Sequence, residues 1–314
     1  MKDPTESNKA TDRWQTLLTE GRHPGSTDLD ILSSEAIVSL LLEEDRAGIE
    51  AALGHRDRIA QAADWVAESL ETGGDLIFAG AGTSGRLGIL EAAECPPTFG
   101  TDPERIRAVM AGGQMAVFEA QEGAEDRFEE GCRAVDDLAM GDVLVGLSAS
   151  SVTPYARGAL AQARQQGART ILVTCAAAEG LEDQADLLIA LETGPEILTG
   201  STRLKAGSAT KAALNAITTA AMVRLGKAYE NLMVDLRPGS AKLQDRAVRI
   251  VESAGQVTRR EAKQLYDVAG REVKTAIVMA RCQISEEEAR ECLSAAGGHV
   301  RRALTNLRDS ESSQ

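Results

Sequence analysis

The sequence predicts an α/β fold: a doubly wound parallel sheet followed by a small C-terminal all-helical module. Three observations carry that expectation. Five short strand-like runs, Asp75–Ala79, Arg105–Met110, Asp142–Ser148, Arg169–Thr174 and Asp186–Leu191, alternate with helical segments. The first of them runs into a glycine-rich turn that opens a helix. The residues from Val257 onward repeat themselves at an offset of 27 positions. Strands that alternate with helices form a parallel sheet covered on both faces. Right-handed crossovers then gather the loops after each strand on one edge, where ligands bind.

Residues 1–27 are polar and weakly patterned, so 1–34 is read as an N-terminal arm and 35–240 as the sheet domain. Helical periodicity runs over 35–71, with Ile37, Leu40, Leu41, Ile49, Ala52, Ile59 and Trp65 as inward positions. Next comes Leu76 to Gly100, a strand, a glycine turn and a helix that carries two acids and is stopped by Pro96-Pro97. From Arg203 to Leu225 the pattern is a long Ala-rich helix, apolar nearly all round at Ala212, Ala213, Leu214, Ala216, Ile217, Ala220, Ala221 and Met222. Such a helix is buried under the sheet or against a second subunit.

Residues 241–314 form the helical module. Glu261-Ala262 matches Glu288-Ala289, Ala269-Gly270 matches Ala296-Gly297, and Val273-Lys274 matches Val300-Arg301. Thr258 with Glu261 and Ser285 with Glu288 read as capping boxes that start helices. Gly270 and Gly297 read as helix stops. Packing or dimerisation is the simplest role for this module.

Composition removes several function classes. The chain has 314 residues, enough for one large domain and a smaller one. Hydrophobic residues make up 43% and aromatics only 3%, so the core is aliphatic. A formal net charge of -14 without a basic cluster argues against nucleic acid. The five cysteines are scattered without metal or disulfide spacing, and the three histidines lie far apart, so no metal site is expected. No signal core follows Met1, and no run reaches the ~18 apolar residues of a membrane span. A soluble cytoplasmic protein with no membrane partner is the expectation.

Four motifs carry chemistry. Gly80-Ala81-Gly82-Thr83-Ser84-Gly85 fits GxGxxG, but the second strand ends Val109-Met110-Ala111-Gly112-Gly113 without the acid that would bind a ribose. Gly82 with the hydroxyls of Thr83 and Ser84 at a helix start suits a phosphate monoester instead; a plain glycine turn is the competing reading. After the third strand, Ser148, Ser150, Ser151 and Thr153 precede Pro154 at a helix start. They could grip the same phosphate from a second side, or simply cap the helix.

Glu94 stands at the end of a helix, where the dipole and partial burial would raise a carboxyl pKa and suit a general acid. Glu125-Asp126 is a second acid pair on a glycine-interrupted stretch. Either acid could equally be a solvated charge, but two acids beside a sugar-phosphate pocket make a working pair. Ser201, Arg203 and Lys205 open the long apolar helix. Cations at a helix N-terminus point to an anionic ligand, with a surface salt bridge as the alternative.

Together these residues resemble the sugar isomerase (SIS) domain family, and more closely the N-acetylmuramic acid 6-phosphate etherases. The resemblance rests on Gly80 through Gly100, Ala111-Gly112-Gly113, Glu122 to Asp126, Thr153-Pro154-Tyr155, Gly200 to Gly207, Asn231 to Asp235, and the early Thr19-Glu20, Arg22 and Asp28-Leu29-Asp30. It spans nearly the whole chain. It implies cleavage of the D-lactyl ether of a phosphosugar by elimination and hydration, with no cofactor and no metal. Glu94 would be the proton donor and Glu125 the second catalytic carboxylate. A homodimer with active sites near the subunit interface is also implied.

Two departures stand out. The family's Gly-Arg before Thr-Pro-Tyr is Ser151-Val152 here, and its Arg-Asn-Pro is Arg22-His23-Pro24. Two rival readings remain: a non-catalytic SIS protein that senses a sugar phosphate for a partner enzyme, and an aldose–ketose phosphosugar isomerase. The first would not need either acid, and the second would not need a group that protonates a lactyl ether.

Overall fold

The computed structural model describes residues 17–311, so the first part of the expected arm lies outside the described residues. Those residues divide into two compact units, 17–92 with 104–218, and 93–103 with 219–311.

In the first unit three short 3-10 turns, Leu18–Glu20, Pro24–Ser26 and Leu29–Ile31, lead into α1 (Ser34–Gly54) and α2 (Arg56–Glu71). The single periodic stretch of the sequence is thus two helices, broken at His55. Ala52 and Ile59 are buried as expected, but Ile49 is exposed. It shares the outer face of α1 with Val38, Leu42 and Leu53, spaced 4, 7 and 4 residues apart and 47–62% exposed apart from Leu42 at 64%.

Five strands follow: β1 (Leu76–Gly80), β2 (Ile106–Met110), β3 (Val143–Leu147), β4 (Arg169–Thr174) and β5 (Leu187–Ala190). They form one parallel sheet in the order β2-β1-β3-β4-β5. β1 and β3 are buried along their whole length, which is why they read as continuous apolar runs. Phe78, Leu76, Ile77, Leu144, Ile171 and Leu172 fill the core.

The chain leaves β1 to one side for β2 and returns to the other side for β3. Register pairs Gly80 with Met110 on one flank and with Leu147 on the other. The strand order therefore reverses at β1, and the loops after β1 and β3 lie side by side at the edge where ligands enter.

Connecting these strands are α3 (Gly82–Phe99), α4 (Met115–Phe118), α5 (Phe128–Arg133) and α6 (Pro154–Gln165). Pro96 and Pro97 do not stop α3; they lie inside its last turn. Their missing N–H groups cost bonds only to the carbonyls of Ala92 and Ala93. The Gly100 N–H donates to the Pro96 carbonyl at 2.9 Å, and Gly100, at φ +65°, ends the helix. The helix α5 packs on α6 backbone to backbone, so that a Cβ on Gly131 would collide with the Tyr155 carbonyl oxygen.

α7 (Lys205–Arg224) is the expected Ala-rich helix. Ala209, Ala213, Leu214 and Ile217 are buried, but Ala216 and Ala220 face solvent, so it is not buried all round.

The second unit holds the β6–β7 hairpin (Ala228–Tyr229, Leu232–Met233) and α8 (Ala241–Gly255), α9 (Arg259–Val268), α10 (Val273–Cys282), α11 (Glu286–Ala295) and α12 (Val300–Glu311). The repeat is real: α9 and α11 each begin with a complete capping box. Gly270 and Gly297 take φ +63° and +62° just past their ends. Val251, Ala276, Ile277, Ala289 and Val300 share one apolar core.

Candidate active site

The reversal at β1 opens a cavity of ≈ 360 Å³ whose walls come from five segments. The loop after β1 supplies Gly82, Thr83 and Ser84, and the loop after β3 supplies Ser150, Val152 and Thr153. Glu125 and Asp126, Gly200 and Thr202, and the first 3-10 turn with Thr19 and Glu20 complete it.

The β1 loop is built for an anion. Gly82 sits at φ +55°, a conformation that favours glycine, and the helix starts there. The N–H groups of Thr83 and Ser84 belong to the first helical turn and have no intrahelical acceptor. Their positive end of the helix dipole and two half-buried hydroxyls meet the cavity.

In the second loop Thr153 is the N-cap of α6, yet its side chain makes no capping bond. It instead accepts a hydrogen bond from the buried Ser148 hydroxyl at 2.9 Å, which leaves its own proton free for a ligand. The reading of this cluster as mere caps therefore fails at Thr153. Ser151 is buried and does not line the cavity; it holds the left-handed conformation at φ +65°. That geometry explains why a glycine suits this position, and why serine there is strained.

Glu125 lines the cavity and also a second one of ≈ 290 Å³ beside it, with Arg86, Gln121 and Glu122. Its own carbonyl accepts from the Tyr155 N–H at 3.0 Å, which ties the acid loop to the start of α6. The side chain of Glu94 is exposed, not partly buried, and does not line this cavity. It stands on the part of α3 that belongs to the second unit.

The other acid of that helix, Glu91, reads from sequence as a solvated charge on the helix face. In the structure it is 6% exposed, and its carboxylate accepts from Asn215 Nδ2 at 2.6 Å and from the Thr218 hydroxyl. The apolar character of α7 hid these two polar partners.

The cations at the start of α7 do not meet the cavity. Lys205 is buried and its ammonium pairs with Glu44 and donates to the Pro195 carbonyl at 2.9 Å. Glu196, which sequence reasoning missed, supplies the negative charge that the helix N-terminus needs. Its two oxygens accept from the Lys205 N–H at 3.1 Å and the Ala206 N–H at 2.8 Å. Burial pushes the Glu196 carboxyl up, against the pull of these bonds. Arg203 is exposed, and Ser201 stands just outside the lining, between Gly200 and Thr202. Lys205 and the first amides of α7 thus meet protein carboxylates.

His23 also belongs to this cluster. Its Nε2 lies 3.3 Å from Glu44, and its Nδ1 accepts from the Gly25 N–H at 3.2 Å. His23 thus bridges the Glu44 carboxylate and the Gly25 backbone. This anchors the turn that carries Thr19 and Glu20.

The arrangement can hold a phosphate by hydroxyls and amides and set carboxylates beside the rest of the molecule. A family model described as the glucokinase regulatory protein N-terminal SIS domain matches residues 58–164. The chain is 46% identical over 265 residues to the N-acetylmuramic acid 6-phosphate etherase of Trichodesmium erythraeum (strain IMS101), covering 84% of this chain and 86% of that one. It is 48% identical over 269 residues to the enzyme of the same name from Rubrobacter xylanophilus (strain DSM 9941 / JCM 11954 / NBRC 16129 / PRD-1), covering 85% and 89%. With the one from Parasynechococcus marenigrum (strain WH8102) it shares 48% identity over 266 residues, 84% of each chain.

Proposed function

We infer what this pocket does from one premise: the chain belongs to the N-acetylmuramic acid 6-phosphate etherase family. It is a carbon–oxygen lyase of cell-wall sugar recycling, which cleaves the D-lactyl ether of N-acetylmuramic acid 6-phosphate to N-acetylglucosamine 6-phosphate and D-lactate.

The phosphate rests on the amides and hydroxyls of Thr83 and Ser84 and on the hydroxyls of Ser150 and Thr153, with Ser148 orienting Thr153. Once the sugar ring is open, C2–H lies next to an aldehyde and is acidic. Glu125 takes that proton, and the lactyl oxygen leaves C3 with a proton from Glu94. Water then adds at C3 of the unsaturated aldehyde. A base and an acid acting on neighbouring carbons must stand within one sugar's width of each other. Glu94 is not among the residues that line the cavity with Glu125, and we therefore take the acid from the second copy in a homodimer. The apolar stripe Val38, Leu42, Ile49 and Leu53 on α1 supports association, because helix-spaced apolar residues rarely stay in water.

Among the described residues the five cysteines form no disulfide with one another, which suits a reducing compartment, so the cytoplasm is the proposed location. Among the described residues no helix is long and apolar enough to cross a membrane.

The observation that carries this reading is Glu125 sharing one cavity with the hydroxyl cradle. Incubating the purified protein with N-acetylmuramic acid 6-phosphate and assaying D-lactate tests it; folded protein that releases none refutes it. The family model over 58–164 favours a second reading, a phosphosugar sensor without catalysis. A sensor would bind the phosphosugar and release no lactate.

Val152 lines the pocket at the position where the resemblance to the etherases implies arginine, and among the described residues no Lys or Arg lines this cavity. Restoring the cation in Val152→Arg is expected to lower KM by about tenfold with little change in kcat, the worth of one charge-assisted hydrogen bond. Steady-state kinetics checks it, and an unchanged KM shows that the phosphate or lactyl carboxylate has no use for a charge there.

A further inference from the structure

We propose that Glu20, on the N-terminal wall of the pocket, opens the sugar ring before elimination begins, a role that rests on the etherase reading above. The substrate in water is a cyclic hemiacetal, which has no carbonyl to acidify C2–H. Opening breaks the C1–O5 bond and forms C1=O. It also moves one proton from the anomeric hydroxyl to the ring oxygen. A carboxylate can do both transfers, taking the proton from O1 and returning it to O5, and it ends as it began. No other reactant is needed.

Glu94 and Glu125 are committed to the lactyl oxygen and to C2. The cavity offers two further carboxyl groups, Glu20 and Asp126. Asp126 is the neighbour of Glu125 and belongs to the same segment of the lining. The C1–O5 bond and the C2–C3 bond lie on different edges of one ring, so the ring-opening group must come from another wall. Glu20 does.

Several observations make this wall a site for ligand. The turn Leu18–Glu20 is fixed by the Glu20 N–H donating to the Leu17 carbonyl at 3.0 Å. Further along, His23 fastens it to Glu44. Glu20 is exposed, and among the described residues no cation pairs with it. Its carboxylate lies against Gly200, where a Cβ would stand 3.2 Å from Oε2, so no side chain separates it from the cavity floor at that point. Beside it Thr19 is 1% exposed, and its hydroxyl has no hydrogen-bond partner among the described residues. A buried hydroxyl without a partner is rare in folded proteins. Thr19 and Glu20 thus bring unspent hydrogen-bonding capacity to the cavity from a segment other than the acid loop.

Ring opening is needed for lactate release but not for the second half of the reaction. The open-chain 2,3-unsaturated aldehyde 6-phosphate enters after that step, and its hydration is followed by loss of its ultraviolet absorbance. Glu20→Gln keeps the shape and removes the acid–base group. The variant is expected to release D-lactate about 100-fold more slowly than wild type, the usual worth of one general acid–base group, while hydrating the unsaturated aldehyde within about twofold of wild type. Asp126→Asn should leave the ratio of the two rates unchanged.

Equal losses in both half-reactions would make Glu20 a structural or binding residue and overturn the proposal. So would no loss in either, or the split appearing in Asp126→Asn instead. Wild-type protein that releases no lactate would refute the etherase reading itself, which separates the two failures.

Discussion

Glu125→Gln is expected to cut D-lactate release by about 10²–10⁴-fold while phosphosugar binding stays within a factor of a few. The substitution keeps the side chain's size and removes only its ability to take a proton. It touches none of the groups proposed to hold phosphate, because Thr83, Ser84, Ser150 and Thr153 come from the loops after β1 and β3. The backbone of the acid loop should also hold, since the bond from the Tyr155 N–H reaches the Glu125 carbonyl and not its side chain. Proton abstraction at C2 should be lost together with lactate release. Hydrogen exchange at C2 in heavy water, measured beside lactate release, checks this; exchange at the wild-type rate would assign the base elsewhere.

The largest effect on stability is expected at Glu44, far from any reacting atom. The Lys205 ammonium is buried and depends on the Glu44 carboxylate, with the Pro195 carbonyl as its other partner. Glu44→Gln removes the carboxylate that the buried ammonium contacts and leaves only the nearby Glu196 charge to offset it, which costs about 3 kcal/mol. It also loosens His23 and, through it, the turn that carries Thr19 and Glu20.

The dependence on pH follows from the same contacts. Burial pushes the Glu44 carboxyl up, but the hydrogen bond and charge of Lys205, helped by His23, pull it further down, and it ends below its ordinary value. A carboxyl depressed in the folded state contributes its full stability above the ordinary carboxylate range. That contribution fades as pH falls through the depressed value. The gap between wild type and Glu44→Gln is therefore widest near neutrality and closes as pH falls through the depressed value, below the ordinary carboxylate range. Chemical denaturation of both proteins across that range measures it, and a gap independent of pH would show that Glu44 stabilises by packing alone.

The sheet was legible because its strands are apolar on both faces and its turns are glycine-rich. The helical repeat was legible because capping boxes are local. The hydroxyl lining of the cavity was legible for the same reason, since hydroxyls and helix starts are neighbours in sequence. What escaped were partnerships between distant segments. Glu91 meets Asn215 and Thr218, and Lys205 meets Glu44, across more than a hundred positions of chain. No periodicity records such pairs. The prolines misled for a different reason. Two prolines in a last turn cost only two hydrogen bonds, so α3 continues past Glu94 and carries it away from the helix end. Ser151 carries the backbone geometry of a glycine, which only φ reveals.

The proposed division of Glu94 and Glu125 between two copies is tested most directly by mixing two inactive variants. Glu94→Gln and Glu125→Gln are each purified, mixed in equal amounts under conditions that exchange subunits, and assayed for D-lactate. A site shared between copies is restored once per mixed dimer, and half of all dimers are mixed, so activity should return to about a quarter of wild type. If both carboxylates serve the site of their own chain, the mixture stays as inactive as its components, and the shared site is wrong.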